Sequence, residues 1–178
     1  MTGFKGARVK RIVLLALLTA APAQAEIKSA TPTSFEVERK AFVLASPAEV
    51  YAQIGRIGEW WDPVHSYSGK AAGLRLDLRA GGCFCEYMGP GASVEHMRVV
   101  YADPKVGIRL SGGLGPLQKE AVTGTLSWSF KELGSGTEVT QNYIVSGYAR
   151  GRIQTFAAPV NKVLSGQFDR LVAKLAAK

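Results

Sequence analysis

The stretch FAAPVNKVLSGQFDRLVAKLAAK, residues 156–178, decides how the rest of the chain is read. Phe156, Val160, Val163, Leu164, Phe168, Leu171, Val172 and Leu175 recur at the three-and-four spacing of one helix face. Lys162, Asp169, Arg170 and Lys174 fall on the opposite face. Packing of an apolar face, more than intrinsic propensity, stabilises most protein helices. The spacing therefore predicts a long amphipathic helix that needs an apolar partner. Gly166 interrupts it at a cost of about 1 kcal/mol relative to Ala, which suggests a close approach or a slight bend at that point.

The partner is a sheet. Phe35 to Leu44 reads as a first strand, with Val37, Ala41 and Val43 on one side. Ser46-Pro47-Ala48-Glu49 then opens a short helix: Ser46 caps, Pro47 suits the first helical position, and Glu49 completes a capping box. Val50, Tyr51, Ile54 and Ile57 form its apolar stripe, Gly55 and Gly58 weaken it, and Asp62-Pro63 ends it. Strands follow over residues 74–79, 83–88, 94–102, 108–111, 122–130 and 137–145, separated by Gly- and Pro-rich turns. The alternation is cleanest where Val122, Gly124, Leu126, Trp128 and Phe130 share a face. Successive strands joined by tight turns imply an antiparallel meander. One alternating face of such a sheet is buried, and the helix of residues 156–178 covers it. The fold class is α+β, in one domain.

The first 25 residues stand apart. Lys5, Arg8, Lys10 and Arg11 precede an apolar run from Ile12 to Ala21, then Pro22 and the small-residue triplet Ala23-Gln24-Ala25. This is the pattern of a cleaved signal peptide, and the run is shorter than the roughly 20 residues a spanning helix needs. Cleavage after Ala25 would leave 153 of the 178 residues, enough for one domain with a real core. The expected organisation is a signal peptide over 1–25, a mobile polar lead-in over 26–34, and a folded domain over 35–178. The expected location is the periplasm or the exterior, with no stable membrane anchor after cleavage. The leader carries four of the eight net positive charges, so the mature chain is near +4. Its basic residues are scattered and lack the clustering of a nucleic-acid interface.

The order of these elements resembles the helix-grip fold of the START-like (SRPBCC) superfamily. Its members include polyketide cyclase/dehydrase and lipid-transport proteins and activator-of-Hsp90-like proteins. The resemblance is carried by Ser46-Pro47-Ala48-Glu49-Val50-Tyr51 after the first strand, Asp103-Pro104 after a long central strand, Gly136-Thr137-Glu138-Val139-Thr140 opening the last strand, and the terminal helix. Trp60-Trp61-Asp62-Pro63, Gly81-Gly82-Cys83-Phe84-Cys85-Glu86 and Leu114-Gly115-Pro116-Leu117-Gln118 further resemble an exported bacterial subfamily. The resemblance implies a curved antiparallel sheet of about six or seven strands wrapped around the C-terminal helix. It also implies an apolar cavity between them that receives a hydrophobic small molecule or lipid. Export argues against an intracellular chaperone partner.

Candidate cavity-wall residues are Leu126, Trp128, Phe130, Val99, Val163, Leu164 and Phe168, with Gln141 and Tyr143 as polar groups that orient a ligand. Trp61 and its neighbour Trp60 either stack on a ligand at the mouth or seal the core. Should Met97, Val99 and Tyr101 face inward, Glu95 does too. Glu95 and Tyr143 are then the acid–base candidates of a cyclase/dehydratase-type enzyme, with His96 replacing Glu95 if the register is one residue off. A third reading is metal binding, since His65, Cys83, Cys85 and His96 share one window, beside Asp62 and Glu86. Against it, Cys-x-Cys lacks the loop spacing of structural zinc motifs, and paired thiols on a strand commonly pack as small apolar residues. A Cys83–Cys85 disulfide is a further possibility, although flat-strand spacing of about 6.6 Å is near the upper limit for one. The Ser111–Gln118 loop lacks the Gly-Lys-Ser/Thr ending of a phosphate cradle, and no cofactor is called for.

Overall fold

The computed structural model describes residues 24–177. An eight-stranded antiparallel sheet runs in the order β1-β2-β8-β7-β6-β5-β4-β3. Its strands are β1 (Gln24–Thr31), β2 (Ser34–Val43), β3 (Leu74–Leu76), β4 (Cys83–Gly89), β5 (Ala92–Asp103), β6 (Gly107–Ser111), β7 (Ala121–Leu133) and β8 (Gly136–Tyr148). Helix α1 (Pro47–Gly55) follows β2, and helix α2 (Ala157–Ala176) ends the chain. The α+β meander closed by a C-terminal helix fits the helix-grip arrangement, with eight strands in place of six or seven.

The additional strand is β1. Residues 26–34, expected as a mobile lead-in, form this edge strand and its turn. Ile27 pairs with Val37, and Thr31 with Ser34. Residues 26–31 of β1 are exposed, so they carry none of the burial alternation by which strands are read from sequence. Cleavage after Ala25 would keep most of the strand. The rest of the proposed signal peptide lies outside the described residues.

The capping box forms as read. Glu49 N–H donates to Ser46 Oγ, and the Glu49 carboxylate accepts from Ser46 N–H at 2.9 Å. The helix stops at Gly55 and is continued by a 3₁₀ turn over Ile57–Glu59. On the sheet, Gly124, Leu126, Trp128 and Phe130 of β7 share the buried face with Val139, Gln141, Tyr143 and Val145 of β8. Trp128 stands opposite Gln141, and Leu126 opposite Tyr143.

Helix α2 buries Leu164, Phe168, Leu171 and Leu175, with Gln167 among them. Its backbone approaches β2 and β1 closely, and Asp169 pairs with the buried Arg39 of β2 at 3.0 Å. Gly166 is exposed, and a side chain there would meet open space. It is not a point of close approach, and α2 runs through it unbroken.

Candidate functional site

Two β-bulges set which side chains reach the buried face of β5. Phe84 pairs with Met97, but the next residue of β4, Cys85, pairs with Glu95, so His96 has no partner across the ladder. One extra residue in a strand shifts the alternation from that point onward. His96 and Met97 are consequently both buried, while Glu95 turns to solvent and pairs with Arg98. This corrects the expectation that Glu95 faces the interior with Met97. A second shift, between Val99 and Tyr101, leaves Val99 fully buried and turns Tyr101 outward.

His96 meets Glu86, which follows Phe84 on the buried face of β4. His96 Nε2 lies 3.1 Å from Glu86 Oε2. Glu86 is fully buried and also accepts from Tyr67 N–H at 3.0 Å and Ser68 N–H at 2.6 Å. Burial alone would raise its carboxyl pKa, but the hydrogen bonds from Ser68, Tyr67 and His96 outweigh it and hold the group below its ordinary value. Burial acts on His96 in the other sense and lowers its pKa, against a smaller upward pull from Glu86. Glu86 is therefore a carboxylate and His96 a neutral imidazole at neutral pH.

The imidazole lines a cavity of about 490 Å³. One wall is the start of α2 and the turn before it: Phe156, Pro159, Val160, Val163 and Leu164. A second is the loop after β6, with Leu114, Gly115, Pro116 and Lys119. The third is the segment after α1, with Trp61, His65, Ser66 and Tyr67. The surface is mainly hydrocarbon and aromatic, and a volume between roughly 300 and 1,000 Å³ suits a small organic ligand.

Two of the walls are braced by contacts of their own side chains. Trp61 donates its indole N–H to the His65 carbonyl at 3.0 Å and packs edge-on against Phe84. Phe84 in turn lies 4.6 Å from the His96 ring, and Tyr67 flanks that ring at 5.7 Å. The Tyr67 hydroxyl reaches the Gly115 carbonyl at 3.2 Å, which joins two walls at the mouth. Trp60 is core, donating to the Gln53 carbonyl at 2.9 Å. The adjacent tryptophans thus divide the two roles, Trp60 sealing the interior and Trp61 facing the cavity.

The other predicted residues lie elsewhere. Leu126, Trp128, Phe130, Val99, Gln141, Tyr143 and Phe168 are buried in the sheet–helix core, outside the cavity lining. The cavity takes its sheet residue, His96, from β5, while α2 settles on β1 and β2. Of the wall candidates, Trp61, Val163 and Leu164 line it. Tyr143 serves as a strut: its hydroxyl donates to the Gly112 carbonyl at 3.1 Å and accepts from Leu114 N–H at 3.0 Å. Burial pushes its phenol up to about 12.

Cys83 and Cys85 are half-buried, on the face of β4 opposite Phe84 and Glu86, and they form a disulfide. At the bulge their Cα atoms are 5.3 Å apart, closer than in a flat strand and within disulfide range. This corrects the expectation of buried thiols. It also separates the cysteines from His96. Among the described residues, Cys83, Cys85 and Glu95 come together as a potential donor cluster, but the disulfide leaves no thiolates to ligate.

No family model and no curated protein matches the chain. Solved structures do. CalU16 from Micromonospora echinospora superposes with a TM-score of 0.58 at 14% identity, covering 85% of this chain and 83% of that one. Protein Ms6760 from Mycobacterium smegmatis gives 0.58 at 16% identity, covering 90% and 99%. EF2215, a conserved protein of unknown function from Enterococcus faecalis, gives 0.57 at 12% identity, covering 87% and 77%. At such identities the likeness is one of fold, an α+β architecture of the helix-grip type.

Proposed function

We propose that this chain is an exported START-like protein that binds an apolar or amphipathic small molecule between the start of α2 and the loops facing it. The observation that carries the reading is the cavity itself: apolar on three sides, braced by hydrogen bonds, and holding a buried polar side chain, His96. A concave, mainly apolar lining with one convergent polar group is the usual form of a small-molecule site. Export is supported by the basic and apolar pattern of residues 5–25 and by the Cys83–Cys85 disulfide, which suits an oxidising compartment.

The test is to purify the protein after export and identify co-purified compounds by native mass spectrometry. Displacement of an apolar fluorescent dye would be followed in parallel. A bound hydrophobic compound, and a Val163→Trp variant that folds but no longer takes up dye, is the expected result. Absence of both compound and dye binding overturns the reading.

A second reading, a cyclase- or dehydratase-type enzyme, draws support from His96 at the cavity surface. Recovery of a bound compound in altered form after incubation would favour it over simple carriage.

A further inference from the structure

The His96–Glu86 pair bears on which molecules the cavity accepts, and the inference rests on the small-molecule-binding reading above. Glu86 accepts backbone N–H bonds from Tyr67 and Ser68, one on each oxygen, and bonds of this kind favour the ionised carboxylate, which only accepts. His96 Nε2 must then carry the hydrogen of their 3.1 Å contact. A neutral imidazole protonated at Nε2 keeps its lone pair on Nδ1. Among the described residues no hydrogen bond reaches that nitrogen.

We propose that His96 Nδ1, held in this tautomer by Glu86, accepts a hydrogen bond from a hydroxyl on the ligand, so that the cavity selects apolar molecules bearing one such donor, phenols or alcohols, over the corresponding hydrocarbons and ethers. The buried groups around His96 favour this selectivity. Trp61, Leu114 and Leu164 are buried apolar side chains in the lining, and none can donate to Nδ1 from its side chain except Trp61, whose indole N–H is engaged by His65. A hydrocarbon that expels water from this site would leave the imidazole acceptor unpaired, and an unpaired buried acceptor is penalised more than a formed bond is rewarded. Burial, which depresses the His96 pKa, keeps the acceptor available at neutral pH.

The experiment compares 2-naphthol, 2-methoxynaphthalene and naphthalene on the purified protein by fluorescence titration, alongside ¹⁵N NMR of the histidine ring nitrogens. The expected result is a preference for 2-naphthol of about tenfold or more, with His96 neutral and protonated at Nε2. His96→Phe should abolish the preference. Glu86→Gln should reduce it and shift the ¹⁵N signals toward a tautomer mixture, a change that a merely structural role for Glu86 would not produce. Equal binding of the three probes to the unaltered protein overturns the inference and leaves the cavity reading standing. An Nδ1–H tautomer or an imidazolium at neutral pH also overturns it, whatever the variants do. Binding of none of the probes while the co-purified compound or the dye still binds overturns this inference alone; loss of all binding overturns the cavity reading with it.

Discussion

His96 and Glu86 face each other across a β-bulge, 3.1 Å apart, with both side chains essentially withdrawn from solvent. Their folded-state pKa values both lie below the ordinary ones, for different reasons: burial for His96, donated hydrogen bonds for Glu86. The consequence for stability has one sign. In each case the unfolded chain binds a proton that the folded chain resists, so stability rises with pH across the window between the folded and unfolded values. Stability should therefore begin to fall as the pH drops below the unfolded His value near 6.5, and fall further below the unfolded Glu value near 4.5. Thermal unfolding followed from pH 8 to pH 4 checks this. A His96→Gln variant should flatten the upper part of the curve and leave the lower part. A curve unaffected by that substitution would refute the assignment.

Tyr143 makes a different prediction from the one its position in the sequence suggests. Its hydroxyl bridges the Gly112 carbonyl and the Leu114 N–H, which anchors the loop forming one cavity wall. Tyr143→Phe should cost about 1–3 kcal/mol, because Leu114 N–H is left buried without its acceptor. It should also speed hydrogen exchange at Leu114. Unchanged exchange there would mean that the loop is held by other contacts.

The cysteines predict a redox-dependent mass. Under non-reducing conditions the protein should be lighter by two hydrogens and resist alkylation, becoming alkylatable after dithiothreitol. Since the bridge closes only a three-residue ring, replacing both cysteines by serine should lower stability modestly, by about 1–2 kcal/mol on loop-closure grounds. A loss much larger than this would mean that the bridge supports the bulge beside it.

The elements legible in the sequence were those with an uninterrupted period. The alternation from Val122 to Phe130, the capping box at Ser46 and Glu49, and the apolar stripe of α2 each correspond to a formed element. Strand β1 was not legible, because exposed edge residues need no alternation. The site was legible only in part. Trp61, Val163 and Leu164 of the named wall residues line the cavity, and His96 is the residue that replaces Glu95 should the register slip by one. No local pattern announces a bulge, so the choice between Glu95 and His96 could not be made from β5 alone. The Glu86–His96 pairing was hidden for a related reason. Two residues ten apart meet only because the hairpin register and the bulge act together. The alternation of Phe84 with Glu86 was the available signal that a carboxylate points inward.

Two glycines sharpen the difference between a sequence irregularity and a structural requirement. Gly166 lies in the middle of α2 on its exposed side, and a methyl group placed there would touch nothing within 4 Å. Alanine restricts the unfolded chain and suits the helix better, so Gly166→Ala should stabilise the protein by about 0.5–1 kcal/mol. Gly124 sits on the buried face of β7, where a methyl group would collide with the Gly112 carbonyl and the Tyr143 hydroxyl. Both obstacles belong to the strut that holds the cavity loop, and neither can withdraw without breaking a hydrogen bond. Gly124→Ala should therefore destabilise the fold by about 2 kcal/mol or more and release the Gly112–Leu114 loop. Chemical denaturation of the two variants checks the pair, with hydrogen exchange at Leu114 reporting on the loop. Stabilisation at 166 with an unaffected loop, beside destabilisation at 124 with a loosened one, is the expected outcome. A destabilised Gly166→Ala would mean that α2 needs flexibility there, and a tolerated Gly124→Ala would mean that the Tyr143 strut is dispensable.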